Sequence, residues 1–197
     1  MELFRFNALC ARMKYIARWG LMRSARTESL SEHTADTAIL AHTLALISRN
    51  VMGSDARPET LAAAALYHDA GEILTGDMPT PVKYKDRALK QAYKSVEREA
   101  AKSLAALAPP ALRADMEACL TASHLTDKER QLLKAADRLS ALIKCMEEEH
   151  AGNREFAGAK AQQTEALAAM ACPEADYFME HMLPCYSMTL DELSLGW

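Results

Sequence analysis

The segment Leu61-Ala62-Ala63-Ala64-Ala65-Leu66-Tyr67 runs without a break into His68-Asp69, and that junction limits what the chain can become. Alanine and leucine are strong helix formers, and a stretch this apolar predicts a buried helix. His68 and Asp69 then carry an imidazole and a carboxylate into the interior. A buried carboxylate with no compensating partner is costly or is forced neutral. A divalent cation is the simplest compensation, and mixed nitrogen and oxygen donors suit manganese, iron, cobalt, nickel or zinc better than calcium or magnesium. The chain therefore reads as a metal-dependent enzyme.

Half of the 197 residues are hydrophobic, only 6% are aromatic, and glycine and proline number seven each. Alanine, leucine, methionine and glutamate abound while β-branched residues are few, which predicts an all-α protein. The length fits a single domain with one substantial core. A first helix is predicted over 2–18, with Leu3, Phe6, Leu9, Met13 and Ile16 on one face, followed by a loop punctuated by Gly20. Ser29-Leu30-Ser31-Glu32 fits a capping box, which places His33 in the first turn of a helix reaching Asn50. Pro58 opens a third helix, predicted to carry His68, Asp69 and Glu72 and to stop near Thr75-Gly76. Two prolines and a glycine make Thr75 to Lys83 a structured loop. Further helices are predicted over 86–107, 110–122, 127–150, 154–171 and 174–183, with Asp137 in the middle of one, before a terminal piece carrying Leu190, Leu193 and Leu195. Helices bearing inward polar residues favour a bundle with the metal between them.

Five scattered cysteines without CxxC spacing predict free thiols in a reducing cytoplasm. The first residues lack the apolar core of a secretion signal, and no apolar run approaches the ~20 residues that span a bilayer. A net charge of −4 provides no basic field for a nucleic-acid polymer, so an anionic ligand needs specific local cations.

His68 and Glu72 are four apart and Asp69 and Glu72 three apart, so a regular helix puts them on one face. His33 and Asp137, from other helices, complete a two-histidine, two-carboxylate set that leaves open positions for water and substrate. His42, His124, His150 and His181 read as structural or surface residues, with His124 the one that could reach a phosphate. Arg23, Arg26 and Lys83 read as partners in structural ion pairs, the methionines as core filler, and Glu147-Glu148-Glu149 as a solvated helix end.

His33…His68-Asp69…Asp137 resembles the H…HD…D pattern of the HD-domain metal phosphohydrolases. The flanking strings Arg18-Trp19, Leu21-Met22-Arg23, Arg26-Thr27-Glu28, Ser31-Glu32-His33 and Glu72-Ile73-Leu74-Thr75-Gly76-Asp77-Met78-Pro79-Thr80-Pro81-Val82-Lys83-Tyr84 are similar to the bacterial HD-domain 5′-deoxynucleotidases of the YfbR type, and the likeness extends to Asp176-Tyr177-Phe178-Met179-Glu180 and Leu190-Asp191-Glu192. The resemblance implies one HD-type helical bundle over 1–197, with a metal-binding core at about 28–142. It implies a homodimer that hydrolyses deoxyribonucleoside 5′-monophosphates, prefers deoxyribose to ribose and is loose about the base. It implies one divalent ion, cobalt, manganese or copper, held by His33, His68, Asp69 and Asp137. By the same resemblance Arg18 orients the phosphate, Trp19 reads the sugar, and Asp77, Met78, Pro79 and Thr80 hold the substrate, with His33, Asp69 and Asp137 also touching it. Gly71 stands where the pattern usually has a small polar residue, and a glycine in mid-helix costs up to ~1 kcal/mol against alanine.

The expected chemistry starts from a water activated at the metal, with Glu72 or Asp69 handling its proton; Glu72 is the better base because it needs no ligand role. The guanidinium of Arg18 matches phosphate oxygens. Trp19 against C2′ leaves no room for a 2′-hydroxyl. Asp77 is an acceptor for the 3′-hydroxyl. Competing readings are an HD-type phosphodiesterase acting on cyclic or signalling nucleotides, and a metal-containing protein that binds nucleotides without turnover.

Overall fold

The computed structural model describes residues 2–79, 82 and 86–194. Thr80, Pro81, Lys83, Tyr84 and Leu195, which carry parts of the expected substrate loop and terminal piece, lie outside the described residues. Among those described the architecture is all-α, with one isolated antiparallel bridge between Ala17 and Ser29.

The central helix is α2 (Leu30–Asn50), started by the expected capping box: the Ser29 side chain accepts from the Glu32 N–H, and the Glu32 carboxylate accepts from the Ser29 N–H. Its alanines at 38, 41 and 45 are buried at helical spacing beside Leu40, Leu44 and Ile47. Small residues on that stripe let α3 (Pro58–Tyr67) and its Ala64 and Ala65 pack closely. The other side of the same core is Leu132, Leu139 and Leu142 of α7 (Asp127–His150), then α8 (Ala157–Ala168) and α9 (Pro173–His181). In chain order, α4 (Glu72–Thr75), α5 (Arg87–Ala105) and α6 (Arg113–Thr121) come between α3 and α7. A second buried cluster joins α5 and α6 to Phe6, Met13, Leu30 and Ala70. The chain closes with α10 (Leu190–Leu193). No helix among the described residues is long and apolar enough to cross a membrane.

Two predicted helices differ from the structure. The first is short: α1 spans Phe6–Cys10 and passes into a 3-10 turn, Ala11–Tyr15, before the chain extends at Ile16 with φ −98° and ψ 112°. The extended stretch is clamped to the start of α2, because the Leu30 N–H donates to the Ile16 carbonyl at 2.8 Å and the Arg18 N–H to the Glu28 carbonyl at 2.9 Å. A helix continuing to residue 18 would forfeit both bonds.

The second difference bears on the site. The helix predicted to run from Pro58 to Thr75 ends at Tyr67, and His68 to Gly71 form a tighter turn before α4. His68 Nδ1 donates to the Ala65 carbonyl at 2.6 Å, and the following bonds, Ala70 N–H to Tyr67 at 3.0 Å and Glu72 N–H to Asp69 at 2.9 Å, span three residues instead of four. His68 and Asp69 are thus on a turn, not inside a helix, and the one-face argument from regular helical spacing does not hold for them. Gly71 lies in that turn, where an added Cβ would meet Ala100 Cβ at an ordinary 3.6 Å, so the mid-helix penalty is not the relevant cost.

Glu148 is not the solvated helix-end residue expected of the glutamate run. It is 1% exposed and anchors the 22–28 loop: it accepts from the Ala25 N–H at 2.7 Å, the Arg26 N–H at 3.3 Å, the Asn153 amide at 2.7 Å and the buried Lys144 ammonium. Burial pushes its pKa up, but these donors outweigh that and bring it down to about 2. A depressed carboxylate contributes stability that is present above its unfolded value and is lost as pH falls through its folded one. Between pH ~4.5 and pH 2 the intact chain should therefore lose thermal stability more steeply than Glu148→Gln, which is already weakened at neutral pH. Parallel melting-temperature profiles for the two proteins would remove this role from Glu148.

Candidate active site

Four polar side chains converge where α2, α7 and the His68–Gly71 turn meet. His33 comes from the first turn of α2 and is fully buried; Asp137 comes from the middle of α7; His68 and Asp69 come from the turn. One donor atom from each lies within 4.8 Å of the others. His33 Nε2 stands 3.2 Å from Asp137 Oδ1 and 3.5 Å from Asp69 Oδ2, while His68 Nε2 stands 3.2 Å from Asp69 Oδ2 and 4.0 Å from Asp137 Oδ1. The ligands of one ion at about 2.1 Å are about 3.0 Å apart at right angles and about 3.4 Å apart at the tetrahedral angle. Two of the four separations fall inside that range and the other two exceed it, by up to about 0.6 Å, so a divalent ion would draw those pairs together.

The two imidazoles carry the stronger test. Both Nε2 atoms are buried and make no hydrogen bond, an arrangement that is costly unless something takes the nitrogen lone pair. The ring orientation is fixed from behind. Ala65 offers a carbonyl, which can only accept, so His68 Nδ1 bears the hydrogen and Nε2 presents its lone pair inward. His33 Nδ1 is 3.0 Å from Ser140 Oγ on α7. Burial opposes a charged His68, yet the Asp69 carboxylate, then Asp137 and the Ala65 carbonyl, push its pKa up to about 9. Asp69 is correspondingly held well below the usual carboxylate range, the His68 and His33 rings outweighing its burial.

Asp69 and Asp137 of the cluster form part of the wall of a cavity of about 780 Å³, which His33 and His68 do not line. Glu72, buried on the first turn of α4, lines it, as do Arg18, Trp19, Asp77, Met78 and Pro79. Arg18 Nη1 is 3.4 Å from Asp69 Oδ2. Burial works against its charge, and the carboxylates of Glu28, Asp69, Asp137 and Asp77 more than compensate. Trp19 stands edge-on to Phe156 with ring centroids 5.2 Å apart. Its backbone lies in the left-handed region at φ +60°, a conformation that costs a bulky residue of order 1–3 kcal/mol and is kept where surroundings enforce it. Gly76, at φ +73°, makes the bend that sends Asp77 back toward the cavity, a turn only glycine takes without strain.

All the expected site residues within the described part of the chain are thus gathered here. The remaining histidines stay elsewhere: His124 Nδ1 donates to the Ala118 carbonyl at 2.8 Å, as a structural residue does. Arg23 pairs with Glu155 and Arg26 with Glu32, as expected. Sequence reasoning missed the opposite wall. Lys134 and Arg138 on α7 and Gln162 and Gln163 on α8 also line the cavity, with Arg138 Nη1 donating to Gln163 Oε1 at 3.0 Å. The i, i+4 spacing of Lys134 and Arg138 around Asp137 was the available signal. Glu28, whose carboxylate holds Arg18, left no such trace.

The bundle superposes on a HD-domain phosphohydrolase from Listeria innocua with a TM-score of 0.80, at 20% identity over 92% of this chain and 88% of that one. It also matches the cyanophage S-2L HD phosphohydrolase DatZ, whose structure holds dA and one catalytic Zn2+ ion, at a TM-score of 0.65 and 19% identity over 90% of this chain and 95% of that one. The fold is that of the HD-domain phosphohydrolases. Proteins named 5′-deoxynucleotidase from Yersinia pestis (strain Pestoides F) and from Yersinia pseudotuberculosis serotype O:1b are 43% identical over 190 residues, 96% of either chain. The model of the family described as 5′-deoxynucleotidase YfbR-like matches residues 5–186. The chain belongs to that family.

Proposed function

We propose that this chain hydrolyses deoxyribonucleoside 5′-monophosphates to the nucleoside and phosphate, with a divalent transition-metal ion held by His33, His68, Asp69 and Asp137. The observation that carries the reading is the pair of buried imidazole nitrogens without hydrogen bonds, converging with two carboxylates beside a cavity that also presents an arginine and a tryptophan. The dA in DatZ and the name shared by the Yersinia relatives point to the same substrate class. The ion's contribution is Lewis acidity, which lowers the pKa of a water and neutralises charge on a phosphoryl oxygen. Without a cation there the acidic wall of Asp69, Asp137, Glu72 and Asp77 would repel a phosphate dianion.

The chain's own residues do the rest. Arg18, with Nε committed to Glu28, turns its Nη atoms toward the cavity and binds phosphoryl oxygens. Glu72 takes the proton of the attacking water as its oxygen bonds to phosphorus, and returns a proton to the 5′-oxygen as that P–O bond breaks. Asp77 accepts from the 3′-hydroxyl. Trp19 is a rigid wall at C2′ that leaves neither space nor a partner for a 2′-hydroxyl, which gives preference for deoxyribose.

Two measurements test this reading. Phosphate release from dAMP is compared with AMP, with deoxynucleoside di- and triphosphates and with a cyclic diester, across manganese, cobalt, copper and zinc. The monophosphate dAMP should be the best substrate; no release from any deoxymononucleotide after remetallation would end the proposal. Trp19→Ala should then lower the deoxy-over-ribo ratio of kcat/KM about tenfold while the metal content stays that of the intact chain. A ratio unmoved by that substitution would take sugar reading away from Trp19.

A further inference from the structure

A single carboxylate oxygen serves both of the side chains that the proposed function sets against the phosphate and the sugar. Glu28 Oε2 accepts from Arg18 Nε at 3.0 Å and from Trp19 Nε1 at 2.9 Å. Glu28 does not line the substrate cavity; it faces a separate recess of about 150 Å³ shared with Asp36, Ser140 and Lys144. Its side chain is 10% exposed, so both bonds are shielded from water. Its position is set by the backbone, since the residue sits immediately before the Ser29 cap of α2 and its carbonyl accepts from the Arg18 N–H at 2.9 Å.

We propose that Glu28 is a positioning residue that couples sugar selection to phosphate binding by holding Trp19 and Arg18 on one oxygen. The inference rests on the reading that Trp19 excludes the 2′-hydroxyl and Arg18 binds the phosphate. Three features of the geometry require such a holder. The Trp19 backbone is in the left-handed region at φ +60°, a conformation kept where its surroundings enforce it. The indole's other aromatic neighbour, Phe156, meets it edge-on and offers no acceptor. Arg18, released from Glu28, would keep only its 3.4 Å contact with Asp69 and lose the bond that fixes its Nε edge.

The chain has two tryptophans, so Trp197→Phe leaves Trp19 as the only indole, and the test is made in that background. Glu28→Ala and Glu28→Gln are compared by kcat/KM on dAMP and AMP and by acrylamide quenching of Trp19 fluorescence in the full chain without substrate. Loss of the acceptor should lower the deoxy-over-ribo ratio about tenfold, the effect of one hydrogen bond to a charged group, and make the indole more accessible to quencher. Glu28→Gln keeps an oxygen in place and should restore most of both. An equal loss on the two substrates with an unmoved ratio, or quenching identical to that of the parent, would mean that Glu28 is only structural. If Glu28→Ala does not fold, Glu28→Asp carries the same comparison, its oxygen drawn back by about 1.5 Å. If the parent itself does not distinguish dAMP from AMP, the sugar-reading part of the proposed function fails, and the quenching comparison alone decides whether Glu28 holds Trp19.

Discussion

Asp137→Ala should leave a folded protein that neither retains a divalent ion nor releases phosphate. Asp137 contributes the carboxylate nearest His33 Nε2, at 3.2 Å, and it reaches the cluster from α7, whereas His68 and Asp69 reach it from the turn after α3. Its removal leaves three donors and opens the α7 side of the site. The expected loss of metal affinity is at least about a hundredfold, because even partners that merely orient a ligand are worth ten- to a hundredfold. Turnover should fall by about a thousandfold or more, equivalent to about 4 kcal/mol of transition-state stabilisation. The helix itself should survive: α7 is held by its own Thr126–Glu129 capping box and by Arg57, which donates to Glu129 through Nε and Nη2. Circular dichroism, metal analysis after dialysis, and phosphate release from dAMP check the three expectations separately. A variant that keeps stoichiometric metal and normal turnover would mean that the ion, if any, sits elsewhere.

The sequence announced the helices of the bundle better than it announced the site's local backbone. The helix over 127–150 is found at those bounds because its Thr126-x-x-Glu129 box and the Gly152 break are local signals, and the Ser29–Glu32 box likewise starts α2 where expected. Composition could not show that the helix through His68 breaks. That break depends on one imidazole taking the Ala65 carbonyl and on the following turn tightening to three-residue bonds. A regular helix would set His68 and Asp69 about 100° apart around its axis; in the turn that replaces it, His68 Nε2 stands 3.2 Å from Asp69 Oδ2. The first helix ends early for a non-local reason, the clamp between residues 16–18 and 28–30. The same clamp carries Glu28 to Arg18 and Trp19, a contact with no periodicity to betray it. Glu148 was misread for a related reason. Its neighbours in sequence are charged, but its partners come from residues 25, 26 and 153, brought to it only by the fold.

Glu72→Gln should separate metal holding from chemistry. The carboxylate is 6% exposed, on the first turn of α4, and lines the same cavity as Asp69 and Asp137. A carboxylate beside a metal ligand can instead orient that ligand from behind, here His68. The structure gives that task to the Ala65 carbonyl, which occupies His68 Nδ1 at 2.6 Å, and a neutral imidazole has only one hydrogen to give. Glu72 lines the cavity that holds the substrate in the proposed reaction. Glutamine keeps its volume and an oxygen but cannot take up a proton. The expected result is metal content and affinity like those of the intact chain, with kcat on dAMP lower by about a hundred- to ten-thousandfold. KM should change little, since the proposed reaction assigns the phosphate to Arg18 and the sugar to Trp19 and Asp77. Loss of metal together with loss of rate would instead assign Glu72 to the support of the ion site, and an undiminished kcat would take it out of the mechanism.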